Sequence, residues 1–501
     1  MNGNNSYFVQ KRILPFAVIA TILLAYALSS NYIRFGHYDD DVKWVLMARQ
    51  FLHFSHTQPW QSFGVQELIN WGTSLVIAPV VAVTGGNIPA LKLFMSGLLI
   101  SGILLFFSVT RNFFTAREIP FYLFALTLNS FLLSFSGAVI SESVYIFLFA
   151  LALYLLYRHE WLRGMTPMRA LAFGALCSLI ILTRTAGVLF LACICLELLR
   201  QRAYRSLLLI AAATALFSLP YFVISKTSSG DVTFYRKYWQ LLLSLPLAGI
   251  LDTARANAVY YWKGLTCLTH VQLPYFFPDS TTVKYAVMAG MAVPFLLGIT
   301  RIRNRVEKIL LAYTLLYGLL YVLWSYRAPR YALPFYPLYV FWIFRGIQRI
   351  SAGKAFVAWS IMGLLTAASI VSNASSMKEI ITASLRSPVI IGHESYDWLA
   401  AESKADDLIV SMDIARIHYF TGRKGISFIA SDSAGAFASR AKTLNAAYFL
   451  LRDSTFTDAA PNVNDPIAGQ YEKFRLYTSD RRYFTLLYED KNEGVRIFKL
   501  R

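Results

Sequence analysis

The sequence predicts a polytopic α-helical membrane protein of about eleven spans followed by a small C-terminal α/β domain. Three observations predict it. Of the 501 residues 56% are apolar and only 15% charged, against roughly 45–50% and ~25% in soluble proteins. Apolar runs long enough to cross or nearly cross a bilayer recur through the first three quarters of the chain. Basic residues gather in short clusters in every second connection between those runs, as topology signals do. The net charge of +19 is thus spread between spans, not displayed on one face of one domain. That excludes a nucleic-acid-binding reading.

The runs place spans near 13–31, 89–110, 119–136, 143–157, 170–183, 186–199, 206–224, 282–300, 309–325, 331–345 and 355–371. The first follows Lys11 and Arg12, is long for a signal peptide, and precedes no A-x-A-like site, which favours a retained span. A further run, 71–84, is Pro-broken and short, which suits an interfacial or re-entrant segment. With the N-terminus inside, the inner loops carry Arg111 and Arg117; Arg158, Arg163 and Arg169; Arg200, Arg202 and Arg205; Arg301, Arg303, Arg305 and Lys308; and Arg345, Arg349 and Lys354. Counting 71–84 as a full span breaks that alternation, so the consistent topology is N-in and C-out. The outer side then receives two long loops, 32–88 and an aromatic-rich 225–281, with short turns holding Ser141–Glu142, Arg184 and Arg327–Arg330.

The spans and these loops make up a membrane domain, 1–371. From 372 to 501 the composition changes. "DDLIVSMD", "KGISFIAS", "AAYFLLRD", "RYFTLLYED" and "GVRIFKL" read as strands, and "HESYDWLAAES" and "IARIHYFTG" as helices, the second stopped by Gly422. Alternating strands and helices predict an α/β domain on the outer side, with no G-x-G-x-x-G or P-loop in it. The four cysteines, Cys177, Cys193, Cys195 and Cys267, show no paired spacing and are read as packed or lipid-facing. His53 and His56 stand three apart with no third ligand at a set spacing, so they are read as chance loop residues.

The chemistry-bearing residues lie at the outer face. "FGHYDDDVKWVLMAR" sets Asp39, Asp40 and Asp41 beside the first span. Asp39 or Asp40 as a helix cap accounts for one aspartate and not three, and Trp44, Met47, Ala48 and Phe51 would let that helix lie in the interface. Glu67 and Glu142 are further outer acids. Arg34, Lys43, Arg49, Arg184, Arg327 and Arg330 are outer bases. Ionisable groups held near a bilayer mark a pathway or a site. Acids and bases clustered there suit a reaction between a hydroxyl and a lipid phosphate.

These pieces resemble the GT-C membrane glycosyltransferases, in the group of protein O-mannosyltransferases and lipid A aminoarabinose transferases. The first-loop D-[DE]-x-x-[YW]-x-x-x-A-R pattern is matched by "DDVKWVLMAR", with Asp40 on the catalytic aspartate. "QELINWGTSLVIAP" matches the acid before a partly buried run, with Glu67 as the acid and no lysine after it. "SESVYIFLFALALYLL", "LTRTAGVLFL" and "RYALPFYPLYVF" follow in order, over roughly residues 10–370.

The resemblance implies a GT-C fold and a polyprenyl-phosphate sugar donor. The acceptor would be lipid A, lipopolysaccharide or another envelope glycan, or a protein in a related enzyme. The place implied is the periplasmic face of a bacterial inner membrane. Asp40 would be the base, with Asp41 and Glu67 as the accompanying catalytic carboxylates. Arg49, Arg184, Arg327 and Arg330 would meet the phosphate. Asp39, Glu142 and His270 are further possibilities, His270 through acceptor contacts. Glu67 would orient the acceptor or hold a divalent cation with an aspartate; the metal is not specified. A lipid-linked-sugar transporter is the reading of another class. No internal repeat supports it, and the unusual charges cluster at one face instead of the midplane.

Overall fold

The computed structural model describes residues 18–55, 70–158, 165–228, 240, 242–269, 281–300, 302, 304–324, 327–412, 414–427, 431–452 and 466–501. The predicted run 13–31 appears as α1, Val18–Ser29. The other helices of the first part are α2 (Asp39–Leu52), α3 (Trp71–Thr84), α4 (Ile88–Thr110), α5 (Ile119–Thr127), α6 (Ser130–Ser134), α7 (Ser141–Arg158), α8 (Pro167–Thr183), α9 (Gly187–Arg200), α10 (Tyr204–Ser228), α11 (Leu247–Thr269), α12 (Thr281–Thr300), α13 (Arg305–Leu323), α14 (Tyr336–Ile350) and α15 (Ala355–Arg386). Among the described residues five helices are long and apolar enough to cross a membrane: Ile88–Phe113, Ser141–Arg158, Tyr204–Ile224, Arg305–Leu323 and Ala355–Arg386. Val18–Ser29, Trp71–Thr84, Ile119–Ser134, Pro167–Thr183 and Tyr285–Thr300 are shorter apolar helices.

Local chemistry sets the starts. Asn87, Thr166 and Asn304 each turn a side-chain oxygen onto a free backbone N–H of the helix that follows, which satisfies one of its orphan donors. The predicted single span 119–136 is broken: α5 ends at Thr127, and Asn129, fully buried, caps α6 by accepting from Leu132 N. A buried Asn that caps costs less than one left unsatisfied mid-helix. The loop 225–281 holds the long helix α11, whose mixed composition hid it from a hydropathy reading. The run 355–371 continues to Arg386, through the point where the composition changes.

Helices α12 and α14 meet through glycine on both sides. A Cβ on Gly346 would lie 1.7 Å from the Pro294 carbonyl oxygen, and one on Gly298 1.9 Å from that of Trp342. Small residues let backbones approach this closely. We expect Gly346→Ala to destabilise by about 1–3 kcal/mol through overpacking, lowering the temperature at which purified protein loses monodispersity. Gly290→Ala, on the same helix pair but facing open space, should leave that temperature unchanged.

The C-terminal segment forms helices α16 (His393–Glu402), α17 (Ile414–Thr421), α18 (Ala434–Thr443) and α19 (Pro466–Thr478), with strands β1 (Leu408–Ser411), β2 (Lys424–Ile426), β3 (Ala446–Arg452), β4 (Phe484–Asp490) and β5 (Val495–Leu500). The sheet order is β2-β1-β3-β5-β4. β1 runs parallel to β2 and β3; β5 runs antiparallel to β3 and β4. Side chains alternate with the period of two. Val410, Phe449, Leu451 and Phe498 pack with Phe437 and Phe474 of α18 and α19, while Ile409, Leu450, Ile497 and Val495 pack with Leu399 and Ile417 of α16 and α17. Both faces are therefore covered, as a sheet with parallel strands requires.

Candidate functional site

The site is built where α2, α7, the end of α8 and a turn of 3₁₀ helix (Pro329–Phe335) converge. Asp40 stands in the first turn of α2. The N-cap position of that helix is Tyr38, whose side chain makes no capping bond, so neither Asp39 nor Asp40 occupies the cap position that the sequence offers them. Nor does α2 lie in an interface with one face open: Val42, Lys43, Trp44, Val45, Leu46, Met47 and Ala48 are all buried.

Arg330 Nη2 donates to Asp40 Oδ2 at 3.1 Å, and Arg330 Nε lies 3.8 Å from Glu142 Oε1. Glu142 opens α7 and is fully buried; it pairs with Arg184. Arg184 follows α8 and donates from Nη1 to Ser141 Oγ at 3.1 Å and from Nη2 to Tyr321 OH at 2.9 Å. Two carboxylates and two guanidiniums thus alternate: Asp40, Arg330, Glu142, Arg184. Tyr38 and Tyr331 lie against Arg330, with ring centres 4.7 and 5.7 Å from its guanidinium carbon, and Tyr331 also lies against Arg184 at 5.2 Å. Such faces attract cations and hold their planes.

The cluster is sheltered but not closed. Asp40's side chain is 42% exposed, Arg330's 15% and Glu142's 1%. Among the described residues the buried Arg330 Nη1 has no hydrogen-bond partner. A buried unsatisfied donor on a cation is costly, and a bound anion would relieve it. Around Asp40 the loss of water pushes the carboxyl up, and Arg330 outweighs it with help from Lys43 and Arg184, holding the carboxyl below the usual carboxylate range.

Other predicted residues go elsewhere. Asp41 is 2% exposed and turns to a different neighbourhood, accepting from Gly36 N at 2.8 Å through Oδ2. Burial pushes its carboxyl up to about 7 against the pull of Arg416 and Lys92. Arg49 donates to Tyr419 OH at 3.4 Å and lies over that ring. It ends α2 while Asp40 begins it, about 13 Å away along the axis. Arg327 donates to Asn257 Oδ1 of α11 at 2.6 Å. Glu67, His270 and the side chain of Asp39 lie outside the described residues. Among the described residues no three His, Cys, Asp or Glu side chains gather as a metal site; Asp40 and Glu142 both face Arg330.

The tyrosines are what a sequence reading missed. Tyr313, Tyr317 and Tyr321 recur every four residues on α13 and run in contact toward the site, with ring centres 5.3 and 4.6 Å apart. Their i, i+4 spacing was the available signal.

No family model matches the chain, and no curated protein does. Solved structures do. The crystal structure of ArnT from Cupriavidus metallidurans bound to undecaprenyl phosphate superposes with a TM-score of 0.58 at 13% identity, covering 97% of both chains. The archaeal oligosaccharyltransferase AglB from Archaeoglobus fulgidus, in complex with an inhibitory peptide and a dolichol-phosphate, superposes with a TM-score of 0.57 at 14% identity, over 95% of this chain and 73% of that one. The chain has the GT-C fold.

Proposed function

We propose that the protein is an integral-membrane glycosyltransferase. It moves a sugar from a polyprenyl-phosphate donor to a hydroxyl of an envelope acceptor: lipid A, lipopolysaccharide or another cell-surface glycan. The reaction lies at the periplasmic face of a bacterial inner membrane, with the N-terminus inside and the C-terminal domain outside. The observation that carries this is the alternating Asp40, Arg330, Glu142, Arg184 cluster on a fold shared with proteins solved with undecaprenyl phosphate and dolichol-phosphate. A transporter needs its ionisable groups along a pathway; here they converge on one sheltered, open-mouthed point.

Asp40 takes the proton of the acceptor hydroxyl. The acceptor oxygen bonds to the anomeric carbon as the bond from that carbon to the phosphate oxygen breaks, and the electron pair leaves on the phosphate. One displacement inverts the anomeric centre. The lipid phosphate needs no general acid, because it departs as a stabilised anion. Arg330 and Arg184 meet the growing phosphate charge, and a guanidinium suits that task through its fork of donors. Glu142 fixes both guanidiniums while lowering their net charge, so the phosphate is held and then released. Asp40 is a weak base in this setting, which suffices because the hydroxyl becomes acidic only as its bond to carbon forms.

The field on Asp40 has a pH consequence. Its folded-state pKa lies below the ordinary value, so the base stays ionised as pH falls through the usual carboxylate range. We expect the limb of kcat/KM that belongs to Asp40 to lie below about pH 4.5, apart from any decline near pH 7 as the buried Asp41 carboxyl takes up its proton. In Asp41→Asn, where the decline near pH 7 is removed, an acid limb still centred above about pH 4.5 would contradict the assignment.

The reading itself is tested by deleting the gene in the source cell and comparing envelope lipids, lipopolysaccharide and glycoproteins by mass spectrometry. The expected result is one glycan short by a single sugar mass, restored by the wild-type gene. Loss of sugar from a protein instead would move the acceptor to protein, and no change in any glycan would overturn the transferase reading.

A further inference from the structure

The segment that delivers Asp40 is held by the C-terminal sheet domain. Phe35 N donates to Val389 O at 2.8 Å and Ile391 N donates to Phe35 O at 3.0 Å, a short parallel bridge onto the chain entering α16. The Phe35 ring, 1% exposed, packs edge-on against Tyr419 and Phe420 of α17 at 5.3 and 6.4 Å. Gly36 has φ +87°, and a Cβ there would come within 2.9 Å of Ile391. Arg34 forks onto Glu493, in the turn between β4 and β5, at 2.8 and 3.3 Å. Arg416 of α17, 1% exposed, donates from Nη2 to the His37 carbonyl oxygen at 3.0 Å. Asp41, beside Asp40, is buried in the field of Arg416 and of Lys92 of α4 and ties back to Gly36 N.

We infer that Arg416 and Asp41 are positioning residues, a buried latch through which the C-terminal domain sets where Asp40 stands. The inference rests on the glycosyltransferase reading above. Three features support it over simple docking of two parts. The latch binds main chain on the residues immediately before Asp40, not a distant surface. A charged Arg buried in this way is costly unless well paired, and the Arg34–Glu493 fork, with 26% and 21% exposure, already supplies an ordinary docking contact. Asp40 and Asp41 also share one helical turn, so a shift of the latched carboxylate moves the other. Misplacing a reacting group by about 1 Å costs on the order of 100-fold in rate.

The test pairs two readouts. One is restoration of the missing sugar in deletion cells. The other is thermal stabilisation of the purified full-length protein by undecaprenyl phosphate, which reads the Arg330–Arg184 side alone. We expect Arg416→Gln to lower restoration roughly 10- to 100-fold while its stabilisation by undecaprenyl phosphate stays at the wild-type value, and Arg416→Lys to fall between. Arg475→Gln, in an exposed pair with Glu472 on α19, should match wild type in both. If Arg416→Gln does not accumulate, Asp41→Asn and Arg416→Lys carry the same readouts, with restoration reduced and lipid stabilisation kept. Full restoration by these variants, or joint loss of restoration and lipid stabilisation, overturns the latch. Full restoration by Asp40→Asn would remove the base assignment, and no glycan change on deletion would overturn the transferase reading, so these failures are told apart from failure of the latch.

Discussion

Asp40→Asn is expected to lower transfer about 100- to 10,000-fold, the range for removing a positioned general base, with the fold and lipid-phosphate binding intact. Asn has nearly the same shape, and its carbonyl oxygen can still accept from Arg330 Nη2, which now sits 3.1 Å from Asp40 Oδ2. Arg330 also keeps Glu142 at 3.8 Å. What disappears is the site for the proton. The purified variant should therefore melt at the wild-type temperature and be stabilised by undecaprenyl phosphate at least as well, since one negative charge near the phosphate is gone. Asp40→Glu should retain part of the rate, its carboxylate displaced by one methylene. If Asp40→Asn turns over at the wild-type rate, the base is elsewhere and Asp40 serves only to hold Arg330.

Much of this was legible before any coordinates, and for physical reasons. Long apolar runs announce themselves by composition, so most of the helices fall where hydropathy places them. The strands from Leu408 to Leu500 were legible as short apolar runs bounded by Gly and Asp, with β1 and β3 buried along nearly their whole length. Hydropathy fails where polarity is mixed: helix α11 was read as loop because Asp252, Arg255, Asn257 and Lys263 interrupt it, yet Asn257 is buried and holds Arg327. Helices α18 and α19 were likewise missed, their sequences lacking a long apolar stripe. Within the site, Asp40, Arg184, Glu142 and Arg330 were all on the page as outer-face charges. Their pairing was not, because it joins positions as distant as 40 and 330. Arg345 shows a pairing that the sequence did not reveal. It reads as a topology charge, but its side chain is 11% exposed and pairs with fully buried Glu307 at 2.8 Å.

Arg330 carries the other large effect. We expect Arg330→Gln to lower kcat/KM roughly 100- to 1,000-fold, the size of losing one preorganised donor to developing charge. Arg330→Lys should recover only part, because a point charge replaces a planar fork that faces Asp40 and Glu142 at once. The pH profile separates this role from a structural one. Arg330 is the largest influence holding the Asp40 carboxyl below its usual range. Without it, burial acts less opposed and the proton is held more tightly, so the acid limb must move to higher pH in Arg330→Gln. A protein that merely folds less well loses activity at all pH values and keeps its limb in place. The same coupling gives the wild-type pair a sequence of action. When a donor phosphate takes a share of the Arg330 guanidinium, including the hydrogens of Nη1, which has no partner among the described residues, the field on Asp40 weakens and its basicity rises. The base is thus strengthened when the leaving group is in place. The check is kcat against kcat/KM in the wild type: the acid limb of kcat, which reports the donor-bound enzyme, should lie at higher pH than that of kcat/KM. Coincident limbs would mean that the phosphate leaves the Arg330–Asp40 pair untouched.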